Sequence, residues 1–155
     1  MKGLSWSAFS LCCLFFTSGR PALSGSSIIN PTGTYILKGN IRGNRIMGHF
    51  GEIRVKLLTT TKIAICFYIN TGYPDYHSGS FLDTLAYQDD LATYLPRQSS
   101  GCSILFCFAL KEVETQQIFT DPRSSCGFGT GVMASTIFNK YSMEIPVIQD
   151  LSRND

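Results

Sequence analysis

Apolar and polar residues alternate along much of the chain from residue 52 onward. Between Glu52 and Leu58, the apolar side chains of Ile53, Val55 and Leu57 are separated by charged ones. Residues 62–70 repeat this period of two with isoleucine and phenylalanine at every second position. Such alternation places one set of side chains in a core and the other in solvent, so it predicts β-strands.

Eight segments have this character or lie between clear turn signals. The predicted strands are 33–38, 52–58, 62–70, 80–87, 91–95, 102–110, 113–119 and 132–139. Several of them are joined by short turns, such as Thr59–Thr61 and Gln88–Asp90, which favours up-and-down antiparallel pairing. The prediction is an all-β fold, a small antiparallel eight-stranded barrel without open edges. A two-layer sandwich is the alternative, and no helical period is found after the first 24 residues.

The first 24 residues have the order of a secretory signal. A positive start at Lys2 is followed by a mostly apolar stretch, 4–16, and by small residues at Ala22 and Ser24. The apolar stretch is shorter than the ~20 residues that span a bilayer. We therefore expect cleavage before Gly25, a secreted or periplasmic location and no transmembrane segment in the mature chain. Residues 25–155 would form a single domain with an irregular tail from about residue 141.

Net charge argues against a nucleic-acid partner. The chain has 13 basic and 11 acidic side chains, and removal of Lys2 and Arg20 with the signal leaves 11 of each. A neutral domain without a concentrated basic face is not expected to bind nucleic acid. A local basic group is interpreted as a solvated face, because Glu52 interrupts it and no aromatic residue is interleaved. Its members are Lys38, Arg42, Arg45, Arg54 and Lys56.

Cysteine positions predict one disulfide. After the signal the chain has four cysteines, at 66, 102, 107 and 126, and an exported protein is expected to pair at least two of them. Cys102 shares strand parity with Ile104 and Phe106, so it should face the core. We predict a Cys102–Cys126 disulfide. Cys66 and Cys107 should lie on the outer face, either paired or free.

Candidate catalytic, metal and cofactor sites are not recognised. The cysteines lack a CxxC spacing, and neither His49 nor His77 is beside a cysteine, so no metal site is assigned. The glycine-rich stretch 127–131 has no following Lys-Ser/Thr and opens a strand, unlike a phosphate loop. Ser78-Gly79-Ser80 is not a nucleophile elbow. We predict a protein that is not an enzyme and has no cofactor.

Asp83 is the one carboxylate expected to need a partner. It has the parity of Phe81, Leu85 and Tyr87 in the predicted strand 80–87. If that face points inward, the carboxylate is buried and requires a compensating group such as an arginine.

The loop before that strand is the candidate recognition surface. It combines tyrosine, histidine and serine with turn-forming glycine and proline, and such residues offer contact area and hydrogen bonds at low entropic cost. An ordinary connection between strands is the alternative interpretation. The candidate partner-binding residues are Tyr73, Tyr76, His77, Ser78 and Ser80.

Several motifs between residues 53 and 138 carry a family resemblance. They are Gly79-Ser80-Phe81-Leu82-Asp83-Thr84-Leu85, the strand Cys102 to Phe108, Asp121-Pro122, and the segment Cys126 to Val132. With these motifs the chain resembles small exported bacterial β domains. In size, export, cysteine use and strand number it is also similar to bacterial lysozyme inhibitors of the membrane-bound and periplasmic type.

The resemblance implies a function. Those inhibitors insert a serine-bearing loop and a basic residue into the lysozyme cleft, against its two acidic catalytic groups. Here the matching loop would be residues 73–80, with Ser78 or Ser80 as the inserted hydroxyl. The inhibitors' Tyr/Trp-x-x-Lys-Gly stretch is absent, and no basic partner is assigned.

Two functional hypotheses follow. The first is a non-enzymatic exported binding module that inhibits a hydrolase such as a lysozyme. The second is a carrier of a small apolar ligand, with an apolar barrel interior and a cavity of ~300 Å³ or more.

Overall fold

The computed structural model describes residues 28–98 and 101–149. The predicted signal, residues 1–24, lies outside these ranges, as does the end of the predicted tail. Ten strands are found in the described ranges. They are β1 (Gly33–Leu37), β2 (Asn40–Arg42), β3 (Arg45–Met47), β4 (Phe50–Thr59), β5 (Lys62–Asn70), β6 (Ser78–Gln88), β7 (Leu91–Tyr94), β8 (Cys102–Phe108), β9 (Glu112–Phe119) and β10 (Thr136–Ser142).

Eight of these strands close into one antiparallel barrel. Their order around the barrel is β1-β10-β9-β8-β7-β6-β5-β4, and β1 closes the barrel by pairing with β4 on one side and β10 on the other. Neighbours in the barrel are neighbours along the chain except at this closure. The predicted all-β fold and eight-stranded barrel are confirmed, and the sandwich alternative is wrong.

The remaining two strands form a separate hairpin that the sequence pattern does not predict. Strands β2 and β3 pair as a two-stranded sheet with Ile41 opposite Ile46. Each strand has only three residues, which is too short for an alternating period to be recognised. Ile41 is 74% exposed, so apolar residues do not mark a buried face here.

Aromatic side chains fill the barrel interior. The ring of Phe67 on β5 lies 5.2–6.0 Å, centroid to centroid, from the rings of four other phenylalanines. These are Phe81, Phe106, Phe128 and Phe138. Stacked and edge-on rings at such distances are attractive and also bury a large apolar area. The interior of this barrel is a packed core.

The disulfide prediction is confirmed. Cys102 at the start of β8 is bonded to Cys126 in the loop before β10, and both side chains are buried. Cys66 and Cys107 are not joined to each other. Cys66 points outward from β5 as predicted. It is nevertheless fully buried, because the tail crosses this face and the Cys66 thiol donates a hydrogen bond to the Gln149 carbonyl at 2.6 Å.

The last strand begins later than its apolar pattern predicts. Val132 and Ala134 are buried at alternate positions, as in a strand, but β10 starts only at Thr136. Side chains of β9 replace the ladder there: the Ala134 N–H donates to the side chain of Gln117 at 2.8 Å. The Gln117 N–H in turn donates to the Ser135 hydroxyl at 2.9 Å. These residues therefore cover the core without pairing as a strand.

Candidate functional site

The candidate loop, residues 71–77 with the start of β6, is attached to the β2–β3 hairpin. The Tyr73 N–H donates to the Ile46 carbonyl at 2.7 Å. The Tyr76 hydroxyl accepts a hydrogen bond from the N–H of the same residue, Ile46, at 3.2 Å. Both tyrosines are thereby held against one residue of β3, and the hairpin supports the first half of the loop.

Asn70, a buried residue at the end of β5, binds the loop through its side-chain amide. Its Nδ2 donates to the Tyr76 carbonyl at 2.9 Å, and its side-chain oxygen accepts from the Gly72 N–H at 2.8 Å. Tyr76 has a left-handed φ of 51°, which a non-glycine residue rarely adopts. Gly72 also has a positive φ, and a Cβ there would lie 2.4 Å from the Gly48 carbonyl. Asn70 therefore ties both Gly72 and Tyr76 of the loop to the end of β5.

The second half of the loop rests on the glycine-rich segment that follows Cys126. His77 Nδ1 lies 2.7 Å from the Thr130 carbonyl, and the Gly129 N–H donates to the Ser78 carbonyl at 3.0 Å. Gly79 lies against the face of Phe128, where a Cβ would come within 2.3 Å of the ring. Gly129 allows this segment to approach β6 closely, because a Cβ there would lie 3.2 Å from the Ser78 carbonyl.

The exposed part of this surface contains two tyrosines and an arginine. Tyr73 is 37% and Tyr76 40% exposed, and the Arg45 guanidinium lies 4.2 Å from the centre of the Tyr73 ring. A guanidinium at this distance is attracted to the ring face. Arg42 is the cross-strand neighbour of Arg45 in the hairpin. The sequence analysis considered only aromatic residues interleaved with the basic group along the chain, whereas folding brings the distant Tyr73 beneath Arg45.

The five candidate residues do not form a single patch. Tyr73 and Tyr76 lie against the hairpin, whereas His77 and Ser78 adjoin the segment 127–131. Ser80 lies farther along β6, where it is half-buried and lines a separate cleft. We use the term loop surface for the group formed by Arg45, Tyr73, Tyr76, His77 and Ser78.

The cleft beside Ser80 forms where β6 and β7 separate. These strands pair only at Tyr87–Ala92 and Gln88–Leu91, and β7 ends at Tyr94, shortly before Pro96. The resulting cleft has a volume of about 370 Å³. Its lining comprises Ser80, Leu82, Asp83, Tyr94, Pro96, Arg97, Gln98, Cys126 and Gly127.

Asp83 and Tyr94 set the electrostatics of this cleft. The Asp83 carboxylate is half-buried, accepts from the Thr84 N–H at 2.7 Å and lies 3.9 Å from the largely exposed Arg97 guanidinium. Tyr94 stacks on Phe81 with 3.6 Å between ring centres. Burial raises the pKa of Tyr94, the Asp83 carboxylate raises it further, and Arg97 opposes both. The phenol is therefore neutral near pH 7.

Residues 28–98 and 101–149 contain no group of three or more His, Cys, Asp or Glu side chains arranged to hold a metal ion. No helix in this part of the chain is long and apolar enough to cross a membrane. Comparison with protein-family models, curated proteins and solved structures finds no match to this chain.

Proposed function

We propose that this protein is an exported, non-enzymatic binding module that docks on a protein partner through the loop surface. An extracellular or periplasmic hydrolase such as a lysozyme is the leading candidate partner. The observation that carries the proposal is the presentation of two partly exposed tyrosines on a hydrogen-bonded loop, with Arg45 of the adjoining hairpin beside them.

The residue types support this proposal. Tyrosine and arginine are enriched among the residues that contribute most to protein–protein affinity. A side chain that is already ordered before binding loses less conformational entropy when the partner arrives. The Tyr76 hydroxyl is bonded to the Ile46 N–H and the Tyr73 ring is contacted by the Arg45 guanidinium, so part of this cost is met during folding.

Charge favours an acidic partner. Arg42 and Arg45 project from the hairpin beside the tyrosines, whereas Asp75 is the acidic residue of the loop. A cleft lined by carboxylates, such as the one that lysozyme inhibitors enter, would be complementary to this cationic edge. Arg45 is thus the residue that we assign to the basic role left open by the sequence.

The filled interior favours docking over ligand carriage. A carrier would need a cavity inside the barrel, whereas the ring of Phe67 contacts four phenylalanine rings there. Carriage would require at least one of these rings to move and its packing to be lost.

The test is a titration of the purified protein into activity assays of a lysozyme panel. We expect stoichiometric inhibition of at least one type. Arg45→Ala and Tyr73→Ala should each weaken that inhibition by about tenfold or more, because each removes a large, ordered contact. Leu110→Ala is the matched control, since Leu110 is 76% exposed on a turn far from the loop surface.

Thermal unfolding of every variant separates loss of contact from loss of fold. Neither the Arg45 nor the Tyr73 side chain is buried, so the melting temperatures should remain close to that of the parent protein. Absence of inhibition across the panel would remove lysozyme as the partner. Equal inhibition by the parent protein and both variants would remove the loop surface as the docking site.

A further inference from the structure

The side of β6 that faces away from β5 has backbone groups available for pairing. In an antiparallel strand, each residue directs its N–H and C=O to one side, and successive residues alternate. The Tyr87 N–H donates to Thr61 on the β5 side, whereas the Ser78 carbonyl accepts from Gly129 on the opposite side. The register between β5 and β6 is unbroken from Ser78 to Ala86. The even-numbered residues of β6 therefore direct their backbone groups away from β5.

Most of this edge is covered by the protein itself. Gln88 pairs with β7, the Ser78 carbonyl is bonded to Gly129, and the Thr84 N–H is bonded to the Asp83 carboxylate. Between these positions lie Ser80 and Leu82. In the part of the chain that the structure describes, the N–H and C=O groups of these two residues have no hydrogen-bond partner on the side of the cleft. Ser80 and Leu82, two residues apart on this edge, thus offer two backbone N–H donors and two backbone C=O acceptors.

The cleft lies directly beside this edge. Its volume of about 370 Å³ is within the range of cavities that hold small ligands or short peptide segments. Arg97 is 85% exposed, and only one of its terminal nitrogens approaches Asp83, at 3.9 Å. The guanidinium has five N–H donors in a fork that suits a carboxylate, so it can accept a second anionic partner.

We infer that the open edge of β6 at Ser80 and Leu82 binds a short extended peptide as an added strand, with a peptide carboxylate directed to Arg97. Addition of a strand to a sheet edge uses main-chain hydrogen bonds for affinity and side-chain pockets for specificity. The spacing of two residues between the free backbone groups matches the period of an extended peptide. The proposal does not depend on the loop surface, because Ser78, the loop-surface residue on this edge, already has its carbonyl bonded to Gly129.

The primary experiment is NMR-detected hydrogen exchange of the purified protein with a pool of acetylated pentapeptide amides. Glutamate is fixed at the fourth position and the other positions are randomised. We expect slower exchange of the Ser80 and Leu82 amides when the pool is added. The amides of Phe81 and Asp83 already face β5, so their exchange should not change.

A pair of backbone-methylated pools gives the sharpest control. N-methylation at the second and fourth residues removes one alternating set of peptide donors, and N-methylation at the first, third and fifth removes the other. Strand addition uses only one set, so one pool should bind at least about tenfold more weakly than the other. Equal binding of the two pools, or unchanged exchange at Ser80 and Leu82 with the unmethylated pool, would overturn the proposal.

Two protein variants test the named contacts. Leu82→Pro removes the edge N–H and should weaken binding about tenfold, whereas Leu82→Ala removes only an exposed side chain and should have little effect. Arg97→Gln should weaken binding of the glutamate pool about two- to fivefold and leave a matched glutamine pool unchanged. If Leu82→Pro fails to fold, the methylated pools still decide the outcome. Lysozyme inhibition, measured on Leu82→Ala and Arg97→Gln, reports on the loop surface separately.

Discussion

The two ends of the barrel differ in how their strands are joined. At one end, which we call the turn end, short connections link β4 to β5, β6 to β7 and β8 to β9. At the other, the loop end, the connections are long. They are residues 38–49, 71–77 and 120–135, together with the segment between β7 and β8. Both the loop surface and the cleft lie towards the loop end, where long connections can vary without disturbing the strand order.

The turn end is built from local chemistry. Asp89 and Asp90 both have positive φ, as a two-residue hairpin turn requires at its central positions. The Asp90 carboxylate accepts from the Ile29 N–H at 2.7 Å and lies 2.9 Å from the Tyr87 hydroxyl. That hydroxyl is also 2.5 Å from the Ile29 carbonyl. The same turn therefore ties the segment before β1 to the barrel.

The loop end is held instead by contacts between distant parts of the chain. The disulfide joins residues 24 positions apart, and the hairpin β2–β3 meets the loop through Ile46 and Tyr73. Asn70 and Phe128 complete this support from the core side. Loops held in this way are ordered although no strand ladder runs through them, and they can present a fixed surface to a partner.

Removal of the disulfide should produce the largest change and should act on the loop end. We expect the double variant Cys102→Ser, Cys126→Ser to lose about 3 kcal/mol of unfolding free energy, because a 24-residue loop is no longer closed in the unfolded chain. Urea denaturation measures the loss. Hydrogen exchange should increase first in residues 120–131 and in the loop surface, and later in the β6–β7 turn.

Cys107→Ser is the matched control for that variant. Cys107 lies half-buried on the outer face of β8, and burial together with the Glu114 carboxylate raises the pKa of its thiol. Serine at this position should change the unfolding free energy by less than about 0.5 kcal/mol. A loss in the double variant as small as that in the control would mean that non-covalent contacts alone hold the loop end.

Asn70→Ala should have the next largest effect. It leaves the Gly72 N–H and the Tyr76 carbonyl without their bonds to the Asn70 side chain in a buried setting, at a cost of about 2 kcal/mol. Partner binding through the loop surface should weaken by more than the unfolded fraction of the variant accounts for, because the Tyr76 carbonyl loses its bond to Asn70. Asn139→Ala, on an exposed position of β10, is the control. Full binding by Asn70→Ala would show that the loop conformation is fixed elsewhere.

Much of the barrel could be predicted because its signals are local. Alternation marks β4 and β5, the turn residues Asp89 and Asp90 mark the two-residue connection between β6 and β7, and strand parity assigns Cys102 to the core. Each of these signals depends on residues within a few positions of one another. The turn end and the strand order are accordingly the parts of the fold that the sequence predicts best.

The loop end was harder to predict because its determinants are distant in sequence. The Arg45–Tyr73 contact requires the hairpin to fold back onto the loop, and neither residue is marked by a local pattern. Segment 132–135 alternates like a strand, yet side chains of Gln117 and Thr115 replace its ladder. The burial of Cys66 depends on a tail without any period. The partner-binding role of the five candidate residues stays a prediction.

The turn end should lose stability at alkaline pH. Burial and the Asp90 carboxylate raise the pKa of Tyr87, and burial raises that of Tyr35. Tyrosine in the unfolded chain ionises near pH 10, whereas these folded phenols resist ionisation. Between pH 10 and the raised pKa, the folded state holds more protons than the unfolded state, so the unfolding free energy falls as pH rises.

Tyr87→Phe isolates the contribution of the Tyr87 phenol to this fall in unfolding free energy. The variant loses the hydroxyl contacts to Ile29 and Asp90, at a cost of about 1 kcal/mol at neutral pH. Above pH 10 it should lose stability less steeply than the parent protein, by up to about 1.4 kcal/mol per pH unit, because one titrating group is absent. Tyr141→Phe, at an exposed position, is the control for the loss of one phenolic hydroxyl. Denaturation curves from pH 8 to 11 measure these slopes, and identical slopes in the parent protein and Tyr87→Phe would show that the Tyr87 phenol titrates alike in the folded and unfolded states.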